Sequence, residues 1–202
     1  MRLDNITVLD FETSGLDPAR DRVIEVAAIR CYSGEIVSQF QTLVRFEGTL
    51  APKITEITGL TSADLVHGMD EETSFRILNR IIGDSIIVAH NALFDLGFLH
   101  HALMRFAKRS FSNDFLDTLT IARDRHTYPH NLKDMCDRYG IALEGAHRSL
   151  NDIIACWKLL EKMNEENSVK PYLNTLGYMT KYGVPKWSPK QANLVPVQIK
   201  YA

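Results

Sequence analysis

The chain has 202 residues, with 23 Lys and Arg against 25 Asp and Glu, a formal net charge of −2. Hydrophobic residues make up 45% and charged residues 24%, close to the globular average, which excludes wholesale disorder, a collagen-like chain and a coiled-coil rod. The length suits one domain of roughly 150 residues with an appendage, and a charge so near zero argues at first against a nucleic-acid binder, which usually carries a basic excess.

In chain order, the apolar run ITVLDF at 6–11 reads as a buried strand. Gly15, Asp17 and Pro18 mark a turn, 23–32 a second strand, Ser33-Gly34 a hairpin, and 35–46 a third, half-exposed strand. Residues 71–82 carry Phe75, Ile77, Leu78, Ile81 and Ile82 at helical spacing. SIIVAH at 85–90 is a fourth strand, too apolar for an exposed edge. Asn91 opens a helix running to about Ala107, with Phe94, Phe98, Leu99, Ala102 and Phe106 inward. Residues 112–117 make a fifth strand, and short helices follow near 118–125 and 131–138. A last long helix spans 147–166, with Leu150, Ile153, Ile154, Trp157 and Leu160 inward. This order predicts an α/β domain with a mixed sheet and helices packed on it.

After Glu166 the composition changes. Residues 167–202 contain no Asp or Glu but Lys170, Lys181, Lys186, Lys190 and Lys200, with four of the seven prolines and a set of tyrosines around Trp187. The expected division is a domain at 1–166 and a basic, Pro- and aromatic-rich tail at 167–202. The tail therefore carries +5 and the remainder −7, so the total conceals two unlike parts. Neutrality thus ceases to exclude nucleic acid, and the tail offers charge and stacking surfaces for it. A segment that simply packs on the domain is the alternative.

The three cysteines, Cys31, Cys136 and Cys156, are odd in number and widely spaced, which predicts no disulfide or zinc framework and a reducing, cytoplasmic setting. Asp4 falls where a signal peptide needs apolar residues. No stretch approaches the roughly 18 apolar residues of a membrane helix, so no membrane is expected.

Three polar groups carry the chemistry. On a strand, Asp10 and Glu12 leave the same face, with Cα atoms roughly 7 Å apart. Two carboxylates so placed need a cation, a shared proton or exposure at the strand end. Asn91 and Asp95 open a helix, where Asn91 can cap and Asp95 can answer the helix dipole. Ser149 and Asp152 fit a capping pattern, and His147 can meet Asp152 only if it sits in the loop before the helix. Taken together, four acids and one His suit hard divalent cations with oxygen ligands, a two-metal phosphodiester hydrolysis, and a His near neutral pKa for proton transfer.

The order Asp10-x-Glu12, Asn91-x-x-x-Asp95, His147-x-x-x-x-Asp152 resembles the DEDDh (DnaQ-like) 3′–5′ exonucleases, among them the proofreading subunits of bacterial DNA polymerase III. Residues 10–16, the ITGLT segment at 57–61, VAHNAxFDxxFL at 88–99, Asp117-Thr118-Leu119 and Ala122-Arg123 match further family segments, so the resemblance covers about residues 5–163. It implies a ribonuclease H-like fold, a five-stranded mixed sheet flanked by helices. It also implies two divalent cations, Mg²⁺ or Mn²⁺, with Asp10, Glu12 and Asp152 on the first and Asp10 and Asp95 on the second. His147 would be the general base, and Thr13, Leu16, Asn91 and Phe94 would contact substrate. Ser149 and Ile153 stand where the family usually has Ala, and the bulkier Ile153 is expected to alter packing behind Asp152.

The expected function is a metal-dependent 3′–5′ exonuclease on DNA, with single-stranded or mismatched ends, releasing nucleoside 5′-monophosphates. RNA or short oligoribonucleotides are one alternative. The other is an accessory subunit that mainly binds, reaching a DNA polymerase or a sliding clamp through 167–202, where 191–196 vaguely resembles a clamp peptide. Glu25 reads as edge-exposed, His126 and His130 as surface residues, and Arg123 and Arg125 as either phosphate contacts or a solvated helix end.

Overall fold

A computed structural model describes residues 3–143 and 149–201, with the Ser149 side chain excepted. Its central sheet has five strands: β1 (Asn5–Thr13), β2 (Val23–Tyr32), β3 (Glu35–Leu43), β4 (Ile86–Ala89) and β5 (Phe115–Asp117). Their spatial order is β3-β2-β1-β4-β5. The β1–β2 and β2–β3 pairs are antiparallel, while β4 runs parallel to β1 and β5 parallel to β4. This is the mixed five-stranded sheet expected from the sequence. At the β2–β3 turn, Ser33 and Gly34 both adopt positive φ, 51° and 82°, the backbone that a two-residue hairpin of this twist requires.

Seven helices are described: α1 (Pro52–Thr58), α2 (Ser62–Leu65), α3 (Glu71–Ile82), α4 (Ala92–Ala107), α5 (Thr118–Arg125), α6 (Leu132–Arg138) and α7 (Ser149–Glu166). The sequence pattern marked α3 to α7. It missed α1 and α2, which are short and carry no long apolar stripe.

The alternation of β1 decides which helices lie on which face. Ile6 and Val8, with Ala27, Ile29 and Cys31 of β2, build one core with α5, α6 and α7. Leu9 and Phe11, with Val26 and Ala28, build the other with α3 and α4, where Phe75, Leu78, Leu96 and Phe98 are fully enclosed. Two covered faces explain why β1 and β4 are so apolar. Ile153 is buried in the α7-side core, so it fills the space behind Asp152 as an ordinary core side chain.

The segment after Glu166 folds back on the domain. It forms a short parallel pair, β6 (Thr175–Met179) with β7 (Asn193–Val197). Leu176 is 2% exposed in the α4-side core, and Trp187, Ala192 and Leu194 pack against it. Asn174 ties the segment to β5: its Oδ1 accepts from the Phe115 amide at 3.0 Å. The clamp-like stretch at 191–196 thus lies largely within β7. Among the described residues no helix is long and apolar enough to cross a membrane, and all three cysteines are free and buried.

Candidate active site

β1 leaves the core at its carboxyl end, and its alternation continues into charge. Asp10 and Glu12 extend the row begun by Ile6 and Val8, so they face the α7 side. There the first turn of α7 carries Asp152. The three carboxylates are near enough to repel. Burial pushes the Asp10 carboxyl up to about 8, with Glu12, Asp152 and Glu25 adding to the rise. Glu12 rises to about 7, by burial first and then by Glu25 and Asp152.

Asp95 arrives from the opposite face. The β1–β4 ladder pairs only as far as Val8 with Val88, so the Phe11 amide beyond it needs another acceptor. Asp95, 3% exposed in the first turn of α4, supplies it: Oδ1 accepts from the Phe11 amide at 3.1 Å. Burial lifts Asp95 well above the usual carboxyl range, Asp10 adds to the rise, and the Phe11 amide opposes it. The bond fixes Asp95 between the two β1 acids in sequence, which a helix-dipole role alone does not predict.

Asn91 occupies the position before α4 but makes no capping bond, and it sits in the left-handed region, φ 73° and ψ 48°. The capping comes from Asp117. Its Oδ1 accepts from the Asn91, Ala92 and Leu119 amides at 2.9, 3.0 and 3.2 Å, and its Oδ2 from the Thr120 amide and hydroxyl. One buried carboxylate therefore ends β5 and starts both α4 and α5. The neighbouring His90 is also enclosed. Its Nε2 donates to the His130 carbonyl at 3.0 Å, which leaves Nδ1 to accept from Thr118 Oγ1 at 2.9 Å. Burial pushes the His90 imidazole below its usual range, keeping it neutral.

Among the residues expected to contact substrate, Leu16 projects into solvent at 81% exposure. Thr13 is buried, its hydroxyl donating to the Gly15 carbonyl at 2.6 Å. Phe94 is half-buried and lies 4.9 Å from the Phe98 ring. His147 lies outside the described residues; α7 itself begins two positions later, at Ser149.

Several bland readings change. Glu25 is on an interior strand, in phase with Ala27, Ile29 and Cys31, and is paired across the ladder with Glu12. Gln41 Nε2 donates to its Oε1 at 2.8 Å. The β2 alternation contained this signal. His130 is buried at 4% exposure, and His126 bonds Tyr139 at 2.7 Å, because the turn carrying both is tucked against α6. Arg125 caps the end of α7 through the Met163, Asn167 and Ser168 carbonyls, and so is not a solvated helix end. Asp117 caps α4 from 25 positions or more away, a role that no local sequence pattern marks, while His90 joins the start of α5 to the His130 turn.

Asp10, Glu12, Asp95 and Asp152 offer only oxygen donors, the set that hard divalent cations take, and their mutual repulsion is what a cation would relieve. Among the described residues, no three or more His, Cys, Asp or Glu are gathered tightly enough to hold a metal ion as they stand.

The exonuclease family model named RNase_T matches residues 7–160. The chain is 35% identical over 172 residues to the PolC-type DNA polymerase III of Bacillus subtilis (strain 168), and 34% identical over 164 residues to that of Bacillus cereus (strain ATCC 14579). These alignments cover 83% and 79% of this chain but only 12% and 11% of those much longer proteins. In fold, it is similar to Escherichia coli exonuclease I in complex with a dA16 oligonucleotide, with a TM-score of 0.71 at 18% identity, covering 84% of this chain and 42% of that one. It is also similar to exonuclease X in complex with 5′ overhanging duplex DNA, with a TM-score of 0.66 at 21% identity, covering 80% and 92%.

Proposed function

The chain belongs to the RNase_T exonuclease family, and from that premise we propose that it is a divalent-cation-dependent 3′–5′ exonuclease acting on single-stranded or mismatched DNA ends and releasing nucleoside 5′-monophosphates. The observation that supports this is the placing of Asp10 and Glu12 on the face of β1 toward α7, where Asp152 raises the pKa of both, with Asp95 bound to the Phe11 amide between them.

In this reading Asp10, Glu12 and Asp152 hold one cation, and Asp10 and Asp95 face a second. Bound there, Mg²⁺ or Mn²⁺ would supply Lewis acidity at the phosphate and a more acidic attacking water. The protein's part is placement. The Phe11 amide and the Asp117 caps hold Asp95 and the α4 entry rigid, so little reorganisation is needed when phosphate arrives. His147, carried over from the family motif, takes the proton of the attacking water. Thr13, Leu16, Asn91 and Phe94 hold the terminal nucleotide, with the exposed Leu16 best placed to touch it.

The PolC-type relatives support a second element, association with a DNA polymerase in proofreading. A clamp contact through 191–196 is less well supported, because Leu194 packs on the core and Asn193–Val197 is engaged with β6.

The test is a digestion panel with single-stranded DNA, mismatched duplex and RNA of one sequence, labelled at either end, with Mg²⁺, Mn²⁺ or EDTA. Stepwise shortening from the 3′ end, faster on DNA and abolished by EDTA or by Asp10→Ala, is expected. Undiminished cleavage in excess EDTA, or full activity of Asp10→Ala, overturns the mechanism. Preference for RNA moves the substrate to oligoribonucleotides.

A further inference from the structure

Between β6 and β7 the chain makes an exposed excursion whose two flanks are fastened to α5 and α4, the helices whose starts Asp117 caps. At the first end, the Gly177 amide donates to Thr120 Oγ1 at 2.8 Å and Arg123 Nη1 donates to the Gly177 carbonyl at 3.3 Å. Thr120 and Arg123 belong to α5, the helix that Asp117 caps together with α4. At the second end, the Trp187 ring lies 4.9 Å from that of His100 on α4. Gly97, two residues from Asp95, lies under both Trp187 and Pro18. A Cβ there would stand 3.3 Å from Pro18 Cγ and 3.8 Å from Trp187 Cε3. Pro18, two residues from Leu16, and Trp187 thus both lie over Gly97.

What lies between the two fastenings is open to solvent and cationic. A 3₁₀ turn at Thr180–Tyr182 is followed by Gly183, whose φ of 76° redirects the chain. Tyr182 is 75% and Val184 60% exposed, and Lys181 and Lys186 are exposed beside them. Lys181 Nζ stands 4.8 Å from the Tyr182 ring. Among the described residues neither lysine has an ion-pair partner, and no acidic residue occurs after Glu166. One exposed aromatic ring between two cations without ion-pair partners suits a single-stranded polynucleotide, with the ring for a base and the ammonium groups for phosphates.

Building on the exonuclease reading, we infer that residues 181–186 form such a track, on which the single strand lies as it enters the carboxylate site, with a base stacked on Tyr182 and phosphates taken by Lys181 and Lys186. The track adds grip on strands several nucleotides long and makes no contact with the terminal phosphodiester. Its occupant is a single-stranded polynucleotide, because the exposed Tyr182 ring offers a face for a base and the two lysines offer charge for phosphates.

The experiment uses the full chain in EDTA, titrated into fluorescein-labelled dT12 and rU12 and followed by anisotropy between about 50 and 200 mM salt. Tyr182→Ala should weaken binding at least about fivefold, the low end of one base–aromatic stack. Lys181→Gln/Lys186→Gln should flatten the slope of log affinity against log salt by about 1.4, two phosphates at roughly 0.7 each. Lys133→Gln/Lys162→Gln, at two exposed lysines elsewhere, removes the same charge and should leave the slope near that of the unsubstituted chain. Binding of the track variants within about twofold of the unsubstituted chain with an unchanged slope overturns the inference, as does absence of binding by the unsubstituted chain. Turnover of the p-nitrophenyl ester of thymidine 5′-monophosphate with Mn²⁺ is measured alongside. If that ester is not hydrolysed but the track variants lose binding, the exonuclease reading fails and the track stands. If it is hydrolysed and binding is unmoved, the track alone fails.

Discussion

Glu12 and Glu25 stand directly opposite each other across the β1–β2 ladder, with an irregularity in register immediately after Glu12. Like charges so paired destabilise a sheet, and Glu25 is the first charged contributor to the rise of Glu12. The metal-free protein keeps this repulsion. Glu25→Gln should therefore raise the metal-free melting temperature at pH 8 and lower the Glu12 pKa. A melt in EDTA, with the carboxyl titration followed by NMR, checks both. An unchanged Glu12 titration would show that Glu25 does not act on it.

The raised acids also set a pH dependence for the metal-free protein. Asp10 and Glu12 keep their protons in the fold up to about 8 and 7, well above their ordinary values of 3.8 and 4.5. Between those limits the unfolded chain binds fewer protons than the folded one, so stability falls as pH rises. The contribution is complete below about pH 4 and is lost as pH passes through 7 to 8. Melting temperatures in EDTA should fall across this window once the other groups are held constant by comparison with an Asp10→Asn/Glu12→Gln variant. Adding Mn²⁺ should offset the fall progressively as pH rises, because the cation competes with those protons. A flat difference curve refutes the assignment.

Asp95 makes two separable contributions. Asp95→Asn retains an oxygen that can accept from the Phe11 amide, so stability should stay within about 1 kcal/mol, while exonuclease turnover falls at least about a hundredfold on loss of a charged ligand. Asp95→Ala should lose the same turnover and in addition about 1–3 kcal/mol, the penalty of a buried amide without a partner. Urea unfolding and steady-state digestion read the two effects apart. Equal stability of the Asn and Ala variants would remove the structural role.

Asp117 has a structural part that reaches the site. It satisfies the amides of Asn91, Ala92, Leu119 and Thr120 from a buried position. Asp117→Ala should lower stability by about 3 kcal/mol or more, since one lost helix cap alone costs about 1 kcal/mol and buried unpaired amides add to it. Because the same oxygens hold the α4 entry, turnover should fall even below the melting transition. Normal turnover in a destabilised but folded Asp117→Ala protein would separate the cap from the site.

Much of this was present in the sequence because it depends on local periodicity. The alternation of 6–12 placed Asp10 and Glu12 on one face, and the helical stripe of 71–82 reproduced α3 to the residue. The ordered motifs were enough to identify the family, borne out by the match over 7–160. Glu25 was equally legible in principle, since its phase with Ala27 and Ile29 follows from strand geometry alone.

The tertiary structure decided whatever depends on partners distant in sequence. That Asp95 completes the Phe11 amide, 84 positions away, follows from where β4 stops. Asp117 caps α4 only because β5 ends beside β4. The opening charge pattern was likewise fixed by the sequence as a number, +5 after Glu166 and −7 before it. Which surface Lys181 and Lys186 occupy was decided by Leu176 packing into the α4-side core and Trp187 packing against it. A charge is a property of the residue, but the field it exerts depends on distance, and distance is set by packing.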